Sequence, residues 1–89
     1  PVQPGAEITV NYIGWVAATG VEFDSNVGDP PVQFDLDGLI QGWQQGIPGM
    51  RPGGFRYLYI PSELAYGASG SPPSIPPNAD LIFEINLVS

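Results

Sequence analysis

Only one stretch of this chain has the pattern of a helix, and it is too short to stand alone. In Gly38-Leu39-Ile40-Gln41-Gly42-Trp43-Gln44-Gln45-Gly46, Leu39 and Trp43, continued by Ile47, fall at i, i+4 and i+8 and line one helical face. Gly46, Pro48 and Gly49 then supply stop signals. The spacing predicts a helix of about two turns, near residues 40–46. Isolated helices shorter than roughly 12 residues are marginal in water, so its apolar face must be covered by something larger. Everything else in the chain able to cover it reads as strand.

From Glu7 to Val16, Ile8, Val10 and Tyr12 alternate with Thr9, Asn11 and Ile13, the period of a strand with one buried face. Residues 17–20 read as a turn and 21–24 as the returning strand of a hairpin. Phe23 and Asp24 then point to opposite sides unless a bulge intervenes. Val32, Phe34 and Leu36 share a face of a third strand over 32–36, placed near a sheet edge because Pro30 and Pro31 cannot donate ladder hydrogen bonds. A fourth strand, 55–60, sets Arg56, Leu58 and Ile60 against Phe55, Tyr57 and Tyr59; both faces are partly apolar, which places it centrally in the sheet. In the last strand, 81–88, Leu81, Phe83, Ile85 and Leu87 form the set expected to face the helix. The pattern predicts an α+β fold, one curved antiparallel sheet of about five strands wrapped around a single short helix.

Between the last two strands, residues 61–80 are rich in Ser, Gly, Pro and Ala. So long a stretch without regular structure is uncommon in a small domain and points to function. Pro72, Pro73, Pro76 and Pro77 stiffen it, and Tyr66 and Ile75 give it apolar anchors. Twelve glycines and eleven prolines in 89 residues could signal low complexity, but 43% of the residues are hydrophobic and they alternate in clean runs. They are turn residues of one folded domain, 1–89, which from its start at Pro1 reads as excised from a longer chain.

The formal charge of −7, with two arginines and no lysine or histidine, argues against a nucleic-acid surface or an anionic membrane face. There is no apolar run approaching membrane-spanning length and no signal-peptide pattern. Without His, Cys or Lys, the usual nucleophile–base pairs cannot be assembled around Ser25, Ser62 or Ser74. Asp35-Leu36-Asp37-Gly38 starts like a calcium loop but has Ile40 and Gly46 where that loop needs glycine and glutamate. No zinc set or phosphate-cradling motif is present, and no metal or cofactor is expected. What remains is a site of aromatics, a little polar chemistry and a proline-rich flap.

Six segments, in order, carry a resemblance: Val10-Asn11-Tyr12-Ile13-Gly14-Trp15; Phe23-Asp24-Ser25; Leu39-Ile40-Gln41-Gly42-Trp43; Gly53-Gly54-Phe55-Arg56; Ile60-Pro61 with Leu64-Ala65-Tyr66-Gly67; and Ile75-Pro76-Pro77-Asn78-Ala79. Over its whole length the chain resembles the FKBP family of peptidyl-prolyl cis/trans isomerases, the macrolide-binding immunophilins. The resemblance implies a pocket floored by Trp43 and walled by Tyr12, Phe23, Phe34, Ile40, Ile60, Tyr66 and Phe83, with Asp24 at its rim. Tyr12, Phe23, Asp24, Trp43, Tyr66 and Phe83 would be its catalytic set, and Val32, Phe34, Leu39, Ile40, Ile60, Ser71 and Ile75 would contact the ligand. The Ile40 N–H and the Tyr66 hydroxyl would bind ligand carbonyls, and Asp24, if buried beside Tyr12, would orient that ring or set the pocket's polarity.

The implied partners are proline-containing polypeptides and macrolides of the FK and rapamycin type, with no cofactor. Neither nucleic acid nor membrane is expected as a partner of this domain, which is expected to be monomeric. Many relatives carry an aromatic where Val32 stands, leaving that wall one ring short; Ser71 is small where others are bulkier. The segment Phe34 to Ile40 is spaced as in bacterial exported and macrophage-infectivity-potentiator-like members, which leans toward an extracytoplasmic bacterial origin. Two further readings stand beside the isomerase: a proline-segment docking or chaperone module using the same pocket with little turnover, and a non-catalytic structural domain.

Overall fold

The computed structural model describes residues 1–89. Five strands and one helix follow in the order β1 (Glu7–Val16), β2 (Glu22–Ser25), β3 (Val32–Asp35), α1 (Gln41–Gly46), β4 (Phe55–Ile60) and β5 (Leu81–Leu87). Short 3-10 turns occupy Leu36–Gly38, Ser62–Leu64 and Gly67–Ser69. Every strand pairing is antiparallel, and the sheet order is β2-β1-β5-β4, with β3 also on β1. The expected α+β fold, one antiparallel sheet against one short helix, is what the chain adopts.

Because β1 is ten residues long it serves three partners. Along one edge it pairs with β5, from Val10↔Leu87 to Val16↔Leu81. Along the other it takes β3 at residues 7–10 and β2 at residues 13–15, so two short strands lie end to end on one long one. The inward set of β5, Leu81, Phe83, Ile85 and Leu87, is wholly buried with Ile8, Val10, Val16 and Ile60, and meets Trp43 and Ile47 from the helix side.

α1 is held close to the sheet by what it lacks. A Cβ on Gly42 would sit 2.4 Å from Ile60 Cγ2, so only glycine lets the helix approach β4 this closely. At the far end the Arg56 guanidinium donates to the carbonyls of Gly46 (2.6 Å) and Pro48 (3.2 Å). That places a cation on the negative pole of the helix and satisfies carbonyls that the helix itself leaves unpaired.

One expectation fails: β4 is an edge strand, not a central one. Its inward residues Leu58 and Ile60 do pack on the core, but Tyr57 and Tyr59 are each 63% exposed and Phe55 stands beside Tyr57 in an edge-to-face pair at 4.9 Å. Aromatics favour the pleated surface whether or not a second layer covers them, so the apolar rings of the outer face carried no information about strand order. The flap is also more ordered than its composition suggests: beside its two 3-10 turns, Ser71 and Ile75 exchange backbone hydrogen bonds of 2.8 and 2.9 Å.

Candidate functional site

Three elements converge on one hollow. β1 brings Tyr12, β5 brings Phe83 and α1 brings Trp43; Phe34 of β3, Leu39 before the helix, Phe23 and Asp24 of β2, and Tyr66 of the flap complete the lining. The cavity measures about 190 Å³ and seven of its eight lining residues are hydrophobic. Larger hollows exist, such as one of about 380 Å³ between the β1–β2 turn and the base of the flap. Size does not identify the site; enclosure by aromatic rings does.

Those rings interlock edge to face. Trp43 meets Phe83 at 5.2 Å, Tyr12 at 5.5 Å and Phe34 at 5.9 Å, and Phe23 meets Phe83 at 5.5 Å, all within ten degrees of perpendicular. The positive edge of one ring faces the negative face of the next, an arrangement worth about 0.5–1.5 kcal/mol per pair beyond simple burial. The Trp43 indole N–H is buried without an oxygen acceptor.

Phe23 and Asp24, neighbours in a strand, both line the cavity because the β1–β2 register breaks. Gly14 pairs with Asp24 while Trp15 pairs with Glu22, so Phe23 is an extra, unpaired residue. This is the bulge without which the two would diverge. Gly14 makes room for it: a Cβ there would lie 2.7 Å from both Phe23 Cζ and Phe83 Cε1.

At the rim the Tyr12 hydroxyl donates to Asp24 Oδ2 at 2.9 Å, and Asp24 Oδ1 accepts the Ser25 N–H at 2.9 Å. The carboxylate is exposed at the rim, so the condition of burial beside Tyr12 is not met; β2 ends at the surface, and the ring's own hydroxyl reaches out to it. Burial first, then the hydrogen bond and negative charge of Asp24, with a further push from Tyr66, raise the Tyr12 phenol to about 12. The Tyr66 hydroxyl, on a side chain 40% exposed, makes no hydrogen bond within the chain. Neither does the Ile40 N–H, at the extended residue that precedes α1. Gln44 braces that approach by donating to the Leu39 carbonyl at 2.8 Å. The ionisable groups of the cavity are thus one carboxylate and two phenols, and two unengaged donors lie close to an apolar floor.

Five of the residues that the family resemblance implied as ligand contacts lie outside the lining. Ile60 and Ile75 are taken up by the core, the first against Gly42 and the second beneath the flap. Val32 lies across from Val10, two residues from Phe34 along β3, and is half-buried. Ser71 is exposed on the flap. The Ile40 side chain packs on the core and is half-buried. Sequence reasoning missed Gly14 and Asn26. A glycine between strand residues was the available signal for the first, and an asparagine just after a strand for the second.

Residues 1–88 match the family of FKBP-type peptidyl-prolyl cis-trans isomerases. Over 88 residues the chain is 48% identical to FK506-binding protein 4 of Dictyostelium discoideum, covering 98% of this chain and 24% of that protein. It is 46% identical over 89 residues to the peptidyl-prolyl cis-trans isomerase FPR2 of Saccharomyces cerevisiae, covering 97% of this chain and 66% of that protein. Its fold superposes with a TM-score of 0.89 on the crystal structure of a peptidyl-prolyl cis-trans isomerase from Pseudomonas syringae, at 36% identity, over 98% of this chain and 63% of the other. The chain therefore spans from about a quarter to two thirds of the length of these relatives, and it belongs to the FKBP-type peptidyl-prolyl cis-trans isomerase family.

Proposed function

We propose that this chain accelerates cis/trans rotation of X–Pro bonds in polypeptides, by enclosing the proline in the aromatic cavity without acid–base or covalent chemistry. The observation that carries this reading is the cavity itself: four mutually perpendicular ring pairs around Trp43 and Phe83, closed by the hydrogen-bonded Tyr12–Asp24 pair.

Rotation about an amide bond meets a barrier of about 18–20 kcal/mol because resonance is lost at the twisted geometry. No bond to hydrogen breaks, so a site poor in titratable groups is no handicap. The twisted amide has less charge separation than the planar one, and an apolar, water-poor enclosure therefore favours it over the ground state, which is the differential binding that lowers a barrier. Each ~1.4 kcal/mol of that difference is tenfold in rate. In this reading the proline ring rests on Trp43, with Phe23, Phe34 and Phe83 around it. The Ile40 N–H and Tyr66 hydroxyl receive backbone carbonyls, and Asp24 holds Tyr12 in place. Macrolides of the FK and rapamycin type, which present carbonyls on an apolar ring, would compete for the same cavity. The acidic charge and the two arginines of the domain give no surface for nucleic acid.

The test is the relaxation rate of a short X–Pro peptide with and without the domain. Asp24→Val and Phe23→Ala are expected to cut kcat/KM by at least about tenfold, equivalent to ~1.4 kcal/mol of transition-state binding, while the circular dichroism of the fold is retained. Near-wild-type turnover in both variants would mean that the cavity is not the reacting site; binding of the peptide without acceleration by wild type would favour a docking module instead.

A further inference from the structure

The edge of β1 that carries β3 and β2 has a gap. Pairing with β3 stops at Val10 and pairing with β2 begins at Ile13, so the backbone facing outward between them has no strand partner. Tyr12, whose ring is part of the cavity, lies in that gap. One residue fills it. Asn26, the first after β2, accepts the Tyr12 N–H on Oδ1 at 2.7 Å, donates Nδ2 to the Val10 carbonyl at 3.0 Å, and donates its own N–H to the Tyr12 carbonyl at 3.1 Å. A side-chain amide carries the same donor and acceptor as a peptide group, and the two partners fix its orientation, since a flipped amide would set donor against donor. Asn26 is 6% exposed and is the one buried polar residue of the chain.

We infer that Asn26 is a positioning residue for the reaction: by standing in for the missing strand it fixes the backbone of Tyr12, and through it the Tyr12–Asp24 pair at the cavity rim. This rests on the isomerase reading above. The geometry goes beyond cohesion of the sheet, because Asn26 follows Asp24 by two residues and grips Tyr12 directly, so one side chain ties together both members of the 2.9 Å pair. Without it the Tyr12 N–H and the Val10 carbonyl would lose their partners, and the edge would be free to move at the point where the ring enters the cavity.

The test joins catalysis to a direct reading of the pair. Asn26→Ala is expected to lower kcat/KM by about tenfold in the folded domain. In the double variant with Tyr12→Phe the loss should be no greater than in the worse single variant, because both act through one pair. By tyrosine-ring carbon NMR, the Tyr12 phenol should titrate closer to its ordinary value in Asn26→Ala, while Tyr59, whose phenol is raised by its own hydrogen bond to Asp80, stays where it is. Losses that multiply, with an unmoved Tyr12 titration, would reduce Asn26 to a structural staple and overturn the inference. Should Asn26→Ala not fold, Asn26→Asp takes its place: it keeps the acceptor for the Tyr12 N–H but loses the Nδ2 donor and sets a carboxylate oxygen against the Val10 carbonyl, and is expected to lower kcat/KM by about tenfold; wild-type kcat/KM in that folded variant would overturn the inference equally. A wild-type domain without isomerase activity would sink the proposed function, but the titration would still decide whether Asn26 positions Tyr12.

Discussion

The floor and the rim of the cavity are built on different terms. Trp43 and Phe83, each 4% exposed, belong both to the site and to the core, and come from the helix and a strand paired on both sides. Asp24 and Tyr66 are exposed, and come from the end of a four-residue strand and from a flap. The floor is thus preorganised by the packing that stabilises the fold, whereas the rim groups add little to stability and remain free to meet a ligand. Substitutions should divide accordingly: floor variants lose the fold, and rim variants lose function at nearly constant stability.

The largest effect is expected from Phe83→Ala, which removes a buried ring in edge-to-face contact with both Trp43 and Phe23. Denaturant unfolding should show a loss of about 3–5 kcal/mol, a large part of the stability of a domain this size. A loss below about 1 kcal/mol would erase the distinction between floor and rim. Next comes Gly42→Ala, which must push α1 away from Ile60 and should cost about 1–3 kcal/mol, read in the same titration; an unchanged midpoint would mean that the helix has slack against β4. Tyr66→Phe sharpens the contrast from the other side. Its hydroxyl holds nothing in the free domain, so stability should stay within about 0.5 kcal/mol. Peptide isomerisation should nevertheless slow severalfold, and an equal loss of stability would place Tyr66 with the floor.

The smallest effect concerns alkaline pH. The Tyr12 phenol rises from 10.0 to about 12 on folding, so its contribution to stability is fully present below pH 10 and is lost as the pH climbs through 12. Urea unfolding over that range should decline less steeply in Tyr12→Phe than in wild type. It should not become flat, because Tyr59, raised chiefly by its hydrogen bond to Asp80, declines in the same direction. Identical slopes would mean that the Tyr12–Asp24 bond does not persist in solution.

Local periodicity was enough to find the strands, the helix and the inward set of β5, because each is set by which neighbours in sequence share a face. It was not enough for what depends on partners far along the chain. Tyr57 and Tyr59 look the same in sequence whether a layer covers them or solvent does, so β4 was placed centrally when it lies at an edge. The bulge at Phe23 arises from register against Gly14, and the burial of Ile60 and Ile75 from how closely the helix and flap settle on the sheet. Asn26 gave no periodic signal at all. Its task exists only because two strands dock end to end on a third.

The double pairing of β5 has a consequence for how the chain is made. The last of the five strands in sequence order lies between β1 and β4, and its pairing of Leu87 with Val10 joins residues from opposite ends of the domain. At about 5–20 residues per second, the preceding segments wait on the order of seconds before the strand that unites them leaves the ribosome. During that interval the inward rows of β1 and β4 have no shared partner. Topologies so dominated by distant pairings fold in about milliseconds to seconds, so the nascent domain is most exposed to aggregation just before its final seven residues of strand emerge. Unlike a helical bundle, it cannot be folded in instalments.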